Sequence, residues 1–221
     1  MRGQSKRGWE REKMMANPPC KASSSRERIM SASRQLFNAR GFHSTSMSEL
    51  ATSAQVSVGQ IYRHFSGKDD IIVAIVEQDA SDHLDRLDRV FAAVDAGEIG
   101  PARAIELFAF NALSRADEAL SFEILAESFR NVRVAETVRR LTTRFRDIVR
   151  RLALRVQPDL DPLDLEASVE IMTACFYGLR LRKLADPSLD AEQLSRSTAC
   201  LIIRGLAHRE HCTAGSEGSF Q

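Results

Sequence analysis

Alternating runs of β-branched and polar residues are almost absent from this 221-residue sequence, which argues against a sheet and leaves an all-α fold. Its four cysteines, Cys20, Cys175, Cys200 and Cys212, show no paired spacing, so reduced thiols are expected rather than a disulfide framework. No apolar run nears the roughly 20 residues of a membrane span, and the N-terminus lacks a signal-type apolar stretch; the expectation is a cytoplasmic protein with no membrane partner. Catalytic signatures are missing as well. None of His43, His64, His83, His208 and His211 has a Glu three residues before it, as a di-iron bundle requires. There is no Gly-rich phosphate loop, G-x-S-x-G elbow or H-E-x-x-H. His208-x-x-His211-Cys212 resembles a metal clip but has no partners at finger spacing. These absences point to a protein that is not an enzyme and needs no metal or cofactor.

Proline and glycine stand at a few places only, and they punctuate a helical chain. Residues 1–23 are polar and broken by Gly3, Gly8, Pro18 and Pro19, which reads as a disordered basic leader. A capping box, Ser24 closing on Glu27, opens a helix through Ile29, Ala32, Leu36 and Phe37 to a stop at Gly41. After Ser66-Gly67 a long helix carries Ile72, Ile75, Val76, Leu84 and Leu87 to about Val94. Gly97 and Gly100-Pro101 break it, and Pro101 suits the first turn of the next helix, with Ile105, Leu107, Phe108, Ala109 and Ala112. Another spans about Asp117 to Asn131, with Phe122, Leu125, Ala126 and Phe129.

The clearest periodicity is Val134, Val138, Leu141, Phe145, Ile148, Leu152 and Val156, four and three apart. Arg139, Arg140, Arg144, Arg146, Arg150 and Arg151 occupy the rest of that helix and read as a solvated face rather than a second nucleic-acid surface. From about Pro162 to Ala185 a helix is apolar on two faces. One holds Leu165, Val169, Met172, Phe176 and Leu179; the other holds Ala167, Ile171, Ala174, Gly178 and Leu181. Asp186-Pro187 precedes a last helix from Asp190 to about Ala207, with Leu194, Thr198, Leu201, Ile202, Gly205 and Leu206. Residues 208–221 are polar and small and read as a disordered tail.

Between the first helix and the long one lies SMSELATSAQVSVGQIYRHF, Ser46 to Phe65, the most informative stretch. Ser46-Met47-Ser48-Glu49 and Ser57-Val58-Gly59-Gln60 are two capping boxes, so two short helices meet at a tight turn. Ile61 and Phe65 fall on one side of the second helix, leaving Val58, Gln60, Tyr62, Arg63 and His64 for the other side or the flanks. A helix of about two turns cannot stand alone in water; packed on one side and polar on the other, it is shaped to enter a groove. That is a helix-turn-helix, whose second helix reads duplex DNA. The charge distribution agrees. Lys and Arg against Asp and Glu number six to two in residues 1–25, six to four in 26–70 and nineteen to twenty-four beyond, giving +4, +2 and −5. A positive end on an acidic body suits phosphate contact at one end.

Residues 26–72 resemble the DNA-binding domain of the tetracycline-repressor (TetR) family of bacterial transcriptional regulators. The matching pieces are Ala32, Leu36, Phe37, Gly41-Phe42, Thr45-Ser46-Met47, Leu50-Ala51, Ala54, Val56-Ser57-x-Gly59, Ile61-Tyr62-x-His64-Phe65, Lys68 and Ile71. Gln55 departs from the pattern, since the family usually has Gly in the turn; a left-handed backbone there costs roughly 1 kcal/mol more for Gln. The resemblance implies an N-terminal three-helix DNA-binding domain (24–70) and a C-terminal helical bundle for effector binding and dimerisation (71–207), about nine helices in all.

The candidate DNA-binding residues are Thr45, Ser46, Ser57, Val58, Gly59, Gln60, Tyr62, Arg63, His64 and Lys68. Thr45 and Ser46 stand at a helix amino end, where amides and dipole favour phosphate, with Lys68 as a point charge. Tyr62 and His64 donate to phosphates by the resemblance. Val58, Gln60 and Arg63 suit base edges, Gln pairing bidentately with adenine and Arg with guanine, while Gly59 gives close backbone approach. The family's effector cavity implies walls from Phe108, Asn111, Leu125, Glu127, Phe129, Phe145, Met172, Phe176 and Tyr177, and the many Phe suit an apolar or amphipathic small molecule. Two apolar faces on one helix need two partners, so a homodimer is expected through Ile171, Ala174, Gly178, Leu181, Leu194, Thr198, Leu201, Ile202 and Gly205. The function implied is a ligand-responsive repressor of a palindromic operator; the alternative is a constitutive DNA-binding protein of the same fold.

Overall fold

The computed structural model describes residues 24–114 and 118–207, apart from the side chains at 118, 119, 183 and 184. The expected leader and tail, with Cys20, Cys212, His208 and His211, lie outside the described residues. Those described form nine helices and no strand: α1 (Ser25–Arg40), α2 (Met47–Ala54), α3 (Val58–His64), α4 (Lys68–Asp95), α5 (Pro101–Leu113), α6 (Glu118–Ser128), α7 (Val132–Val156), α8 (Pro162–Ala185) and α9 (Ala191–Ala207). No helix among them is long and apolar enough to cross a membrane.

The helices sort into two compact units that do not follow chain order. One comprises residues 24–85 with 118–143, the other 86–114 with 144–207. In the first, α1 packs on α2, α3 and α6. Ile29, Phe37, Leu50, Ile61, Ile71, Ile72, Ile75, Leu120 and Val134 are essentially removed from water, each such side chain worth about 1.5–3 kcal/mol of burial. All three expected capping boxes form, at Ser24, Ser46 and Ser57. Gly41 takes φ 85° and its amide closes α1 on the Phe37 carbonyl at 2.9 Å.

Gln55 ends α2 in the left-handed region, φ 55° and ψ 48°, the only non-glycine described residue with positive φ. The turn keeps its geometry despite the residue, so the strain is local. Gln55→Gly is expected to raise the stability of this unit by about 1 kcal/mol, read as a higher denaturation midpoint with an unchanged slope.

Asp70, in the first turn of α4, accepts the Ser66 amide at 2.8 Å and pairs with Arg133 of α7. The Ser66 hydrogen bonds, then Arg133, hold its carboxyl below the ordinary aspartate value. A group lowered in the folded state stabilises above its unfolded value and ceases to as pH falls through the folded one. Asp70→Asn should therefore be less stable than the parent near neutrality, and the gap should close below pH ~4. Denaturant titrations across that range check it.

In the second unit α9 lies along α5, and α5 packs on α8. Ile105, Leu107, Leu113, Leu152 and Val169 are fully enclosed. Aromatic rings run in series from Phe91 to Phe108 (5.9 Å), Phe108 to Phe176 (6.0 Å), Phe176 to Phe145 (6.2 Å) and Phe145 to Tyr177 (5.8 Å), edge to face except for the tilted Phe108–Phe176 pair. The two faces of α8 separate apart from Leu165 and Gly178, which are half-buried. Val169, Met172, Phe176 and Leu179 are buried, while Ala167, Ile171, Ala174 and Leu181 are exposed.

The arginines of α7 are engaged within the protein more than a solvated face implies. Arg146 and Arg150 pair with Glu166 of α8, Arg146 also with Glu170. Arg151 lies over the Phe91 ring at 4.4 Å, and Arg140 pairs with Glu77.

Candidate nucleic-acid interface

The geometry of α3 follows from its apolar positions. Ile61 is fully buried and Phe65 nearly so, with the Arg26 guanidinium 5.4 Å above the Phe65 ring. Burying that edge turns Val58, Gly59, Gln60, Tyr62, Arg63 and His64 outward, all exposed, Tyr62 at 55%. The side chains of Tyr62 and Arg63 make no hydrogen bond to other described residues. A Cβ at Gly59 would meet only the Ser57 hydroxyl, at 3.8 Å. The unit therefore has room for a side chain there, which is consistent with glycine serving the approach of a partner. Six of the ten expected DNA-binding residues thus share one open surface.

The other four are committed internally. Thr45 is 1% exposed and its hydroxyl donates to the Gly41 carbonyl at 2.9 Å, because it precedes the cap and closes the α1–α2 turn. The Ser46 hydroxyl accepts the Glu49 amide and donates to the Glu49 carboxylate. The Ser46 amide and then its hydroxyl, with Arg40 beside them, hold Glu49 below the ordinary glutamate range. The start of α2 therefore already carries an anion of its own. Ser57 caps α3 in the same manner, bonded to Gln60. Lys68 is no free point charge. Its Nζ donates to the carbonyls of Phe42 (3.0 Å), His43 (3.2 Å) and Thr45 (2.8 Å) and lies 5.0 Å from the Phe42 ring centroid.

Two carboxylates of α6 hold the same turn, and the sequence carried no sign of them. Glu123 accepts the Phe42 amide at 3.2 Å, and buried Glu127 pairs with His43 Nε2 at 2.9 Å. Separations of 81 and 84 positions leave no local pattern to read. Glu127 was expected in a cavity wall; its partner is the DNA-binding turn instead. Leu125 and Phe129 were expected there too, but they are 49% and 84% exposed on the same unit. The remaining wall candidates gather in the second unit. Phe108, Phe145, Phe176 and Tyr177 form the ring series, with Met172 and Asn111 buried on α8 and α5.

Of the expected dimer residues, Ile171, Ala174, Leu181, Leu201 and Gly205 are exposed, and Gly178, Leu194 and Ile202 are half-buried. Cβ positions at Gly178 and Gly205 meet nothing within 4 Å. Thr198 is the exception: it is 6% exposed on the inner side of α9, so it packs within its own unit.

Residues 29–75 match the family model for bacterial regulatory proteins of the tetR family, and residues 101–206 match the C-terminal model for BetI-type transcriptional repressors. Over 188 residues, 84% of this chain and 92% of that protein, it is 28% identical to the HTH-type transcriptional regulator UidR of Escherichia coli K12. The Salmonella enterica GusR structure superposes with a TM-score of 0.61 at 26% identity, covering 83% of this chain and 93% of that one. The fold also matches FadR of Bacillus subtilis in complex with stearoyl-CoA, at TM-score 0.64 and 16% identity over 80% and 97% of the two chains. With a reading helix exposed on a capped turn, and both family models matched in order along the sequence, the chain belongs to the TetR family of bacterial transcriptional regulators and carries its DNA-binding helix-turn-helix.

Proposed function

We propose that this regulator is a cytoplasmic repressor that binds a palindromic operator as a homodimer and is released by a small apolar or amphipathic molecule. The observation that carries the DNA part is α3, buried through Ile61 and Phe65 and open along Val58, Gly59, Gln60, Tyr62, Arg63 and His64. The exposed outer faces of α8 and α9 support a two-fold dimer, whose symmetry an inverted repeat would mirror. The ring series of the second unit supports an apolar or amphipathic effector; the FadR relative in fold binds such a molecule, stearoyl-CoA.

Effector and operator would favour different states of one equilibrium, so each weakens the other by the same factor. Binding to fragments upstream of its own gene, followed across a salt series, tests the reading. Affinity should fall linearly with the logarithm of salt concentration, and a footprint should cover an inverted repeat. Binding without salt dependence overturns the operator-binding repressor. Fatty acyl and aromatic compounds that raise the melting temperature should also release the DNA. Compounds that stabilise the protein yet leave operator affinity unchanged favour the constitutive binder.

A further inference from the structure

Gln60 occupies the third position of α3, exposed on the reading surface, yet one end of its side chain is already committed. The Ser57 amide donates to Gln60 Oε1 at 3.0 Å, while the Gln60 amide donates to Ser57 Oγ at 3.1 Å. Only the oxygen of a carboxamide accepts an N–H, so this bond fixes which end faces the helix start. One lone pair of Oε1 is used on the backbone and holds that oxygen at the helix start, and Nε2 with both N–H groups unused is the end left for a partner. Gln60 is thus placed differently from a glutamine free at both ends, the form in which it pairs with adenine by accepting from N6 and donating to N7.

We propose that Gln60 reads the major groove as a donor only, selecting guanine over adenine; this rests on the reading of α3 as the recognition helix. Guanine offers two adjacent acceptors, N7 and O6, to the two N–H groups of Nε2. Adenine offers N7 beside an N6 amino group, so the second N–H of Nε2 faces another donor. To keep the pairing with adenine, Oε1 would have to accept from N6 with its second lone pair while still held on the Ser57 amide, or else release that amide and undo half of the capping box.

Selection from randomised half-sites, with wild type, Gln60→Glu and Gln60→Ala, tests this. Wild type should select a guanine at one position per half-site, and 7-deazaguanine there should weaken binding roughly tenfold, as loss of a specific base contact does. Gln60→Glu keeps an acceptor for the Ser57 amide and so should keep the wild-type melting temperature. Having no donor, it should lose the guanine preference. Gln60→Ala should lose both the preference and part of the stability. Adenine selected by wild type at the position that Gln60→Ala relaxes would overturn the donor-only mode, as would a selected sequence identical for all three proteins. Failure of wild type to bind any duplex in a salt-dependent way removes the recognition-helix reading itself, and wild type alone reveals that outcome.

Discussion

Lys68→Met is expected to lower the stability of the DNA-binding unit by about 2–3 kcal/mol and to cost operator affinity through that loss. The Nζ group supplies three hydrogen bonds to turn carbonyls, at Phe42, His43 and Thr45. Hydrogen bonds from a charged donor contribute about 1.5–3 kcal/mol, and a partner left unsatisfied when buried adds its own desolvation cost. Phe42 is 2% exposed, so methionine preserves the packing over its ring but leaves its carbonyl unmet. A lysine acting on phosphate gives the opposite signature: unchanged stability and a salt slope reduced by about one. Denaturant titration and salt-dependent binding of the same variant separate the two. Full stability with a reduced slope would return Lys68 to the phosphate-binding set.

Leu181→Glu or Leu201→Glu should yield a folded monomer whose operator affinity is reduced by at least about a hundredfold. Both leucines lie on the outer face of the second unit, 50% and 70% exposed, and Ile171, on the same helix as Leu181, is 61% exposed. In the isolated subunit, a carboxylate at such a position changes stability by only about 0.5 kcal/mol. In a two-fold interface the change appears twice, and each uncompensated buried charge costs several kcal/mol. Losing the dimer separates the two recognition helices, and each half-site must then be held by one copy alone. Light scattering with a thermal melt checks the monomer, and a mobility shift checks the affinity. A dimer of wild-type affinity in both variants would place the two-fold contact elsewhere.

The features legible in the sequence are those whose partners lie within a few residues. Ser24 with Glu27, Ser46 with Glu49 and Ser57 with Gln60 form their boxes because a cap needs only three positions. The two stripes of α8 were visible as periodicity; the fold decided that the Val169–Met172–Phe176 side faces inward. Position alone did not show the internal partners of Thr45 and Lys68. A helix amino end and a nearby cation look phosphate-facing until the backbone carbonyls of residues 41–45 are brought beside them. Leu125 and Phe129 show the converse case, apolar residues at helical spacing that the fold leaves in contact with water. His43 and Glu127 could be paired only by folding, since nothing local links residues 84 positions apart.

The Glu123 and Glu127 contacts also bear on how such regulators can be recombined. A chimera that joins residues up to about 75 to a foreign body would leave behind both carboxylates that hold Phe42 and His43. It would also lose Leu120 and Val134, two fully buried members of the same core. The transplantable head of this protein is therefore discontinuous in sequence. An exchange that preserves operator recognition has to carry residues 118–143 along with the helix-turn-helix, so the natural cut points are three, in α4, between α5 and α6, and in α7, rather than one at the end of the family motif.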